Sequence, residues 1–261
     1  MSAAAGAWVH AQAPAKINPF LELLARRADG FHEIETTLLA LELADEVAVR
    51  ATSDGAVRLE VSGAFAAADV PTDARNLAFT SASSVLAAAQ QAGAAASSTG
   101  LDIHLRKHIP SQAGLGGGSS DAAAALLAAE AALGFALGDR RAHELLGALG
   151  SDCVFFHAAR ATGFARCTGR GEIVEPLATP TTLPHVLVVT PQCGAPTASV
   201  YRALSLPLRN GEPARSLSRD APASALAAAR ASFFNRLEEA ALAAIPELRA
   251  WRALFDAHEA S

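Results

Sequence analysis

Residues 110–121 read Pro-Ser-Gln-Ala-Gly-Leu-Gly-Gly-Gly-Ser-Ser-Asp and run without a break into Ala122–Ala129, a stretch with no polar side chain. A helix that is apolar all round has to be covered all round. This segment therefore belongs in the middle of any fold the chain adopts, and the glycines at its head are held where it is held. Glycines let backbone N–H groups turn inward, and a helix N-terminus adds free donors and a positive dipole, which together suit a polyphosphate. Two common nucleotide loops are excluded. No lysine follows the glycines as a P-loop requires, and Ser119 stands where a dinucleotide fingerprint has its last glycine. A flexible glycine linker is the bland alternative, but linkers do not usually lead into a segment that must be buried. A β-branched residue at Gly117 is expected to block a positive φ there and to crowd the phosphates.

The composition is globular: 261 residues, 51% hydrophobic and 18% charged, enough for one large or two modest domains. The net charge of -5 implies no basic face, so nucleic acid is not an expected partner. Cys153, Cys167 and Cys193 share no C-x-x-C spacing, which argues against a metal or redox pair and suits a reducing cytoplasm. The first residues lack a signal-peptide pattern, and no apolar run is long enough to span a bilayer, so a cytoplasmic protein with no membrane partner is expected. His104 and His108 are four apart, but the alternation around Ile103 and Leu105 puts them on a strand with no third ligand in view.

Local patterning predicts a short strand over Trp8–Ala13 ending in a turn at Pro14-Ala15-Lys16, and strands over Leu38–Leu43 and Val47–Val49. Val57, Leu59 and Val61 alternate after Ser53-Asp54-Gly55, a hairpin signal. A helix is expected to begin near Asp73 or Asn76, another to end near Gly134, and a third over Arg140–Leu149. Gly163–Val174 and Leu183–Thr190 read as strands, with Leu187-Val188-Val189 central in a sheet. Arg209–Pro213 reads as a loop, Ala223–Arg230 and Asn235–Ala244 as helices, and Pro246 opens a last helix through Phe255. Strands and helices mixed in this order point to an α+β fold.

Two charged residues stand out. Asp152 enters the apolar run Cys153-Val154-Phe155-Phe156, either as a helix cap or as a carboxylate with a chemical task. Lys16 is the one cation between Ala13 and Leu24, either a surface lysine or a partner for that carboxylate. Ser120 could cap the central helix or, with Ser119, meet phosphate or Mg²⁺.

The pattern Pro110-x-x-x-Gly114-Leu115-Gly116-Gly117-Gly118-Ser119-Ser120 resembles the phosphate loop of the GHMP kinase family. Pro14-Ala15-Lys16-Ile17-Asn18-Pro19-Phe20-Leu21, Arg26–Ile34, Leu149–Phe156 and Gly169–Val174 resemble one branch of it, the 4-diphosphocytidyl-2-C-methyl-D-erythritol kinases of the non-mevalonate isoprenoid route. The resemblance spans roughly residues 8–240. It implies a two-domain α+β GHMP kinase fold, with an ATP-binding domain over 1–160 and a second domain over 161–261. ATP, with Mg²⁺, would meet Pro110, Gly114, Leu115, Gly116, Gly117, Gly118, Ser119 and Ser120. Asp152 would act as base with Lys16 beside it. Phe31, His32 and Tyr201 would hold the cytidine of a small-molecule substrate carrying a cytidine diphosphate group, with Asn18 and Thr197 also on the substrate. The rival readings are another small-molecule GHMP kinase, of the homoserine or mevalonate type, and an ATP-binding relic without turnover. The family's third glycine-rich motif, near its C-terminus, has no counterpart in Glu247–Ser261. The second domain is therefore expected to be incomplete, and the chain poorly active as it stands.

Overall fold

A computed structural model describes residues 6–66, 70–179, 185–191, 193–194, 197–204 and 233–259. Two long strands form its spine. β1 (Val9–Arg26) and β2 (His32–Thr52) pair antiparallel along nearly their whole length. The turn expected at Pro14-Ala15-Lys16 is instead a bulge inside β1: proline has no N–H to give the ladder, and the register shifts between Pro14 and Lys16 while the strand continues. The real turn is at Asp29-Gly30. Gly30 takes φ +86°, Asp29 Oδ1 accepts from the Phe31 N–H, and Arg27 N–H donates to the Phe31 carbonyl. Phe31 and His32 are thereby placed at the hairpin tip.

β2 is the busiest strand. Its C-terminal half pairs with β4 (Gly100–Arg106) and its N-terminal half with β5 (Phe164–Gly169), which pairs in turn with β6 (Ile173–Pro176). β3 (Val57–Ser62) lies parallel to β4, and β7 (Phe234–Asn235) lies parallel to β1. The hairpin expected between β2 and β3 does not form. β4 is inserted between them, because its fully buried Leu101, Ile103 and Leu105 need neighbours on both edges.

Helix α1 (Leu77–Gln91) begins where the sequence predicts, with Asn76 Oδ1 accepting from the Ala78 N–H. Helix α2 (Gly117–Leu133) is the apolar segment, and it packs on β1 and β2 and on the helices around it. Ala122–Leu126, Ala128 and Ala129 are all buried in the main core. Helices α3 (Asp139–Leu149) and α4 (Ser151–Ala158) meet at Gly150. After β6 come α5 (Thr197–Arg202), α6 (Glu238–Ala244) and α7 (Leu248–Glu259).

Three expectations change. Residues 185–190 form no strand and Leu187 is 80% exposed, because an apolar run demands a partner without supplying one, and none of the seven strands pairs with it. The helix expected from Asn235 starts only at Glu238, since Asn235 belongs to β7 and its side chain accepts from the Leu237 N–H. The last helix opens at Leu248, not at Pro246. Arg209–Pro213 and Ala223–Arg230 lie outside the described residues. Among the described residues, no helix is long and apolar enough to cross a membrane.

Candidate active site

The glycine loop and the candidate catalytic pair hang from the same strand. The Lys16 N–H donates to the Leu115 carbonyl at 2.9 Å, so the loop is tied to β1 at that residue. The Lys16 side chain is buried, donating from Nζ to Asn18 Oδ1 at 2.8 Å and standing 3.3 Å from Asp152 Oδ2. Asn18 donates in turn to Thr36 Oγ1, which donates to the Phe20 carbonyl. A lysine with its stem in the core and two fixed oxygens at its head has little freedom left. Asp152 is the second residue of α4, inside the helix and not at its cap, and its side chain is 35% exposed.

These groups open onto a cavity of about 1700 Å³. That exceeds the ~300–1,000 Å³ of ordinary small-molecule sites and leaves room for two substrates side by side. Pro110 and the loop from Gly114 to Ser119 line one part; Phe31, His32 and Tyr201 line another. Lys16, Asn18 and Asp152 lie on the same lining. The His32 and Tyr201 rings stand 5.4 Å apart, and the Arg170 guanidinium lies 4.7 Å over the Phe31 ring, which is half exposed. Burial, with Arg26 nearby, lowers the His32 pKa, so this imidazole is neutral at pH 7 and offers one donor and one acceptor. Burial likewise raises the Tyr201 pKa and keeps the phenol protonated. Thr197 opens α5, and its side chain lies outside the described residues.

Two expectations about the loop are corrected. Positive φ occurs at Gly114 and Gly116, not at Gly117, which already belongs to the first turn of α2. Ser120 neither caps α2 nor lines the cavity: Gly116 is the capping residue, and the Ser120 hydroxyl is buried without a partner among the described residues. Ser119 is the hydroxyl that reaches the lining.

The sequence reading missed a buried network under the loop. Lys107 Nζ contacts Asp45 and donates to Asp121 Oδ2 at 2.7 Å, while Asp45 Oδ1 accepts from the His108 and Ile109 N–H groups. Among the described residues, Asp121 Oδ1 has no partner within hydrogen-bond geometry. The available signal was a carboxylate directly before the apolar run Ala122–Ala129. Burial pushes the Asp121 carboxyl up to about 7, with the Lys107 ammonium pulling the other way and Asp45 adding to the rise. The folded state thus holds a proton that the unfolded chain, at 3.8, has released, so the stabilisation present at low pH is lost as pH rises through about 7. Asp121→Asn should flatten this. Between about pH 4 and pH 8 the wild-type melting temperature should fall relative to the variant, and parallel melting curves for the two would contradict the assignment. His157, pushed down to about 4, has the opposite sense but is common to both proteins and cancels in the difference.

The histidine pair with four-residue spacing is otherwise engaged: His104, on β4, packs 4.3 Å from the Trp8 ring and faces Glu60, and His108, two residues past the end of β4, faces Glu46. Two of the three thiols are equally quiet, since burial pushes Cys153 up to about 11 and Cys167 up to about 12.

The sequence model of the family described as GHMP kinases N terminal domain matches residues 78–158, which include the glycine loop, α2 and Asp152. A 4-diphosphocytidyl-2-C-methyl-D-erythritol kinase of Heliobacterium modesticaldum is 43% identical over 75% of this chain and 58% of its own length. One from Shouchella clausii is 36% identical over 91% of this chain and 75% of its own. A crystal structure of 4-(cytidine 5'-diphospho)-2C-methyl-D-erythritol kinase superposes with a TM-score of 0.69 at 34% identity, over 95% of this chain and 83% of that one. The chain thus spans a little over half of one of these relatives and three quarters of another. Likeness of this extent places the chain in the 4-diphosphocytidyl-2-C-methyl-D-erythritol kinase family of the GHMP kinases.

Proposed function

We propose that this protein transfers the γ-phosphoryl group of ATP to a hydroxyl of 4-diphosphocytidyl-2-C-methyl-D-erythritol, a step toward isoprenoid precursors outside the mevalonate route. The observation that carries the proposal is the fixed group Lys16–Asn18–Asp152 tied by one backbone hydrogen bond to the glycine loop. This supports the reading, because a carboxylate and an ammonium held beside the loop are what a phosphoryl transfer from a loop-bound polyphosphate to an alcohol needs.

The loop N–H groups and the start of α2 bind the phosphates of ATP. The acceptor hydroxyl attacks the γ-phosphorus, its proton passes to Asp152, and ADP leaves. Lys16 offsets charge on the group in transit. Mg²⁺ would neutralise phosphate charge in the same place, and the Ser119 hydroxyl with the Asp152 carboxylate provides the oxygen donors such an ion takes. The substrate's cytosine lies against Phe31 and Tyr201, with neutral His32 on its polar edge. Residues up to about 160 supply the ATP loop and, through Phe31 and His32, part of the base pocket, which Tyr201 completes from beyond them.

The direct test is one kinase assay offering the cytidine diphosphate substrate, homoserine and mevalonate side by side. Preference for the first supports the proposal; preference for either of the others overturns it. Tyr201→Ala should raise the KM for the cytidine substrate by about 5- to 150-fold, the ~1–3 kcal/mol of one lost stacking face, and leave the KM for ATP alone. Tyr201 also packs on Leu21, Leu23 and Ile34, so Tyr201→Phe serves as the control and should keep most of the affinity.

A further inference from the structure

Helices α3 and α4 bring three ligand-bearing side chains together away from the large cavity, on a part of the surface the proposed reaction does not use. Asp139 and His143 are four apart on α3 and share one face. His157 comes across from α4 and is buried, 3% exposed. His143 Nε2 and His157 Nδ1 are 3.1 Å apart with the rings at 83° to one another, and one ligand atom from each of the three residues falls within 4.8 Å of the others. Two nitrogens bound tetrahedrally at a zinc–nitrogen distance of ~2.0–2.1 Å stand about 3.3 Å apart, so the two imidazoles are already at ligand spacing.

From this geometry we propose that Asp139, His143 and His157 form a site for a borderline divalent transition metal, Zn²⁺ first, that staples α3 to α4. Two imidazoles and one carboxylate suit Zn²⁺, Ni²⁺ or Cu²⁺ and do not suit Mg²⁺, which demands oxygen ligands. Arg160 is the local competitor. Its guanidinium stands 3.9 Å from Asp139 and donates to the His157 carbonyl, but half of that side chain is in solvent and it can swing away when a dication arrives. Water completes the coordination. The staple closes the open ends of the two helices whose shared corner, at Gly150, presents Ser151 and Asp152 to the cavity. An ion here would therefore stiffen the mounting of Asp152 without touching it.

The test uses the full chain, stripped with chelator, and Zn²⁺ alone, without nucleotide or substrate. Calorimetry should show one ion per chain, and the melting temperature should rise with Zn²⁺ and fall back with chelator. Co²⁺ in its place should give visible absorption of a nitrogen-bound tetrahedral centre, and excess Mg²⁺ should not compete. His143→Gln and Asp139→Asn should each weaken Zn²⁺ binding by about 10-fold or more, since even residues behind the ligands carry 10–100-fold effects. His143 is only half-buried, so its variant should fold even where a His157 variant does not, and its metal-free melting temperature checks that. Absence of one-to-one binding would overturn the proposal, as would binding that His143→Gln leaves unchanged, since the ion would then sit elsewhere.

Discussion

Asp152→Asn should fold normally, bind ATP as the wild type does, and lose turnover by about 10²-fold or more, the scale of a missing positioned base. The asparagine occupies the same space at the start of α4 and still offers an oxygen toward Lys16, which stands 3.3 Å from the carboxylate now. It cannot accept the substrate's proton. Steady-state kinetics with nucleotide calorimetry separate the two effects, and near-wild-type turnover from a folded variant would remove Asp152 from the role of base.

The glycine loop makes an equally sharp prediction, because two of its glycines are there for different reasons. Gly116 sits at φ +71°, and a Cβ added there would come within 2.9 Å of Lys16 Cγ and 3.2 Å of Phe156 Cζ. Gly116→Ala should carry a left-handed backbone penalty of ~1–2 kcal/mol and push on a lysine that Asn18 and Asp152 hold in place. Stability and turnover should both fall, the latter by about 10-fold for each ~1.4 kcal/mol passed to the transition state. Gly118 has ordinary φ, and a Cβ there meets nothing within 4 Å. Gly118→Ala should leave the melting temperature where it is and weaken ATP alone, since Gly118 lines the cavity and its methyl group would occupy open space beside the assigned phosphates. Identical behaviour from the two variants would mean that the loop is a structural corner and not a phosphate cradle.

How far the sequence foretold this arrangement varied with the range of the forces involved. The start of α1 at Asn76 and the burial of α2 follow from a cap and from an uninterrupted apolar run, both local facts. The proximity of Lys16 and Asp152 was drawn from family resemblance; spacing alone left a surface lysine and a helix cap equally open. The β3–β4 pairing was missed because Asp54-Gly55 favours a turn without choosing the neighbour, and the choice fell to a strand some forty residues on that needed both edges covered. The Lys107–Asp45–Asp121 network was missed because its members come from three separate elements and each, read singly, resembles a solvated charge. The histidine pair weighed and set aside in the sequence was the one with a four-residue spacing, His104 and His108, while the pair at ligand distance lies on two helices and has no spacing signature.

The double duty of β2 has a consequence for the order in which the molecule comes together. Its C-terminal half meets β4, made soon after it, but its N-terminal half waits for β5, and Glu35 reaches its partner Arg166 across 131 positions of chain. Closing so long a loop is slow compared with local pairing. On a ribosome, the β2–β4 half and the glycine loop can settle while the edge beside Thr36, and with it the anchorage of Asn18, is still open. A nascent chain should therefore acquire its ATP-side architecture first and its acceptor side last. Fragments released partway through synthesis would expose the unpaired half of β2 as the surface most inclined to join another chain.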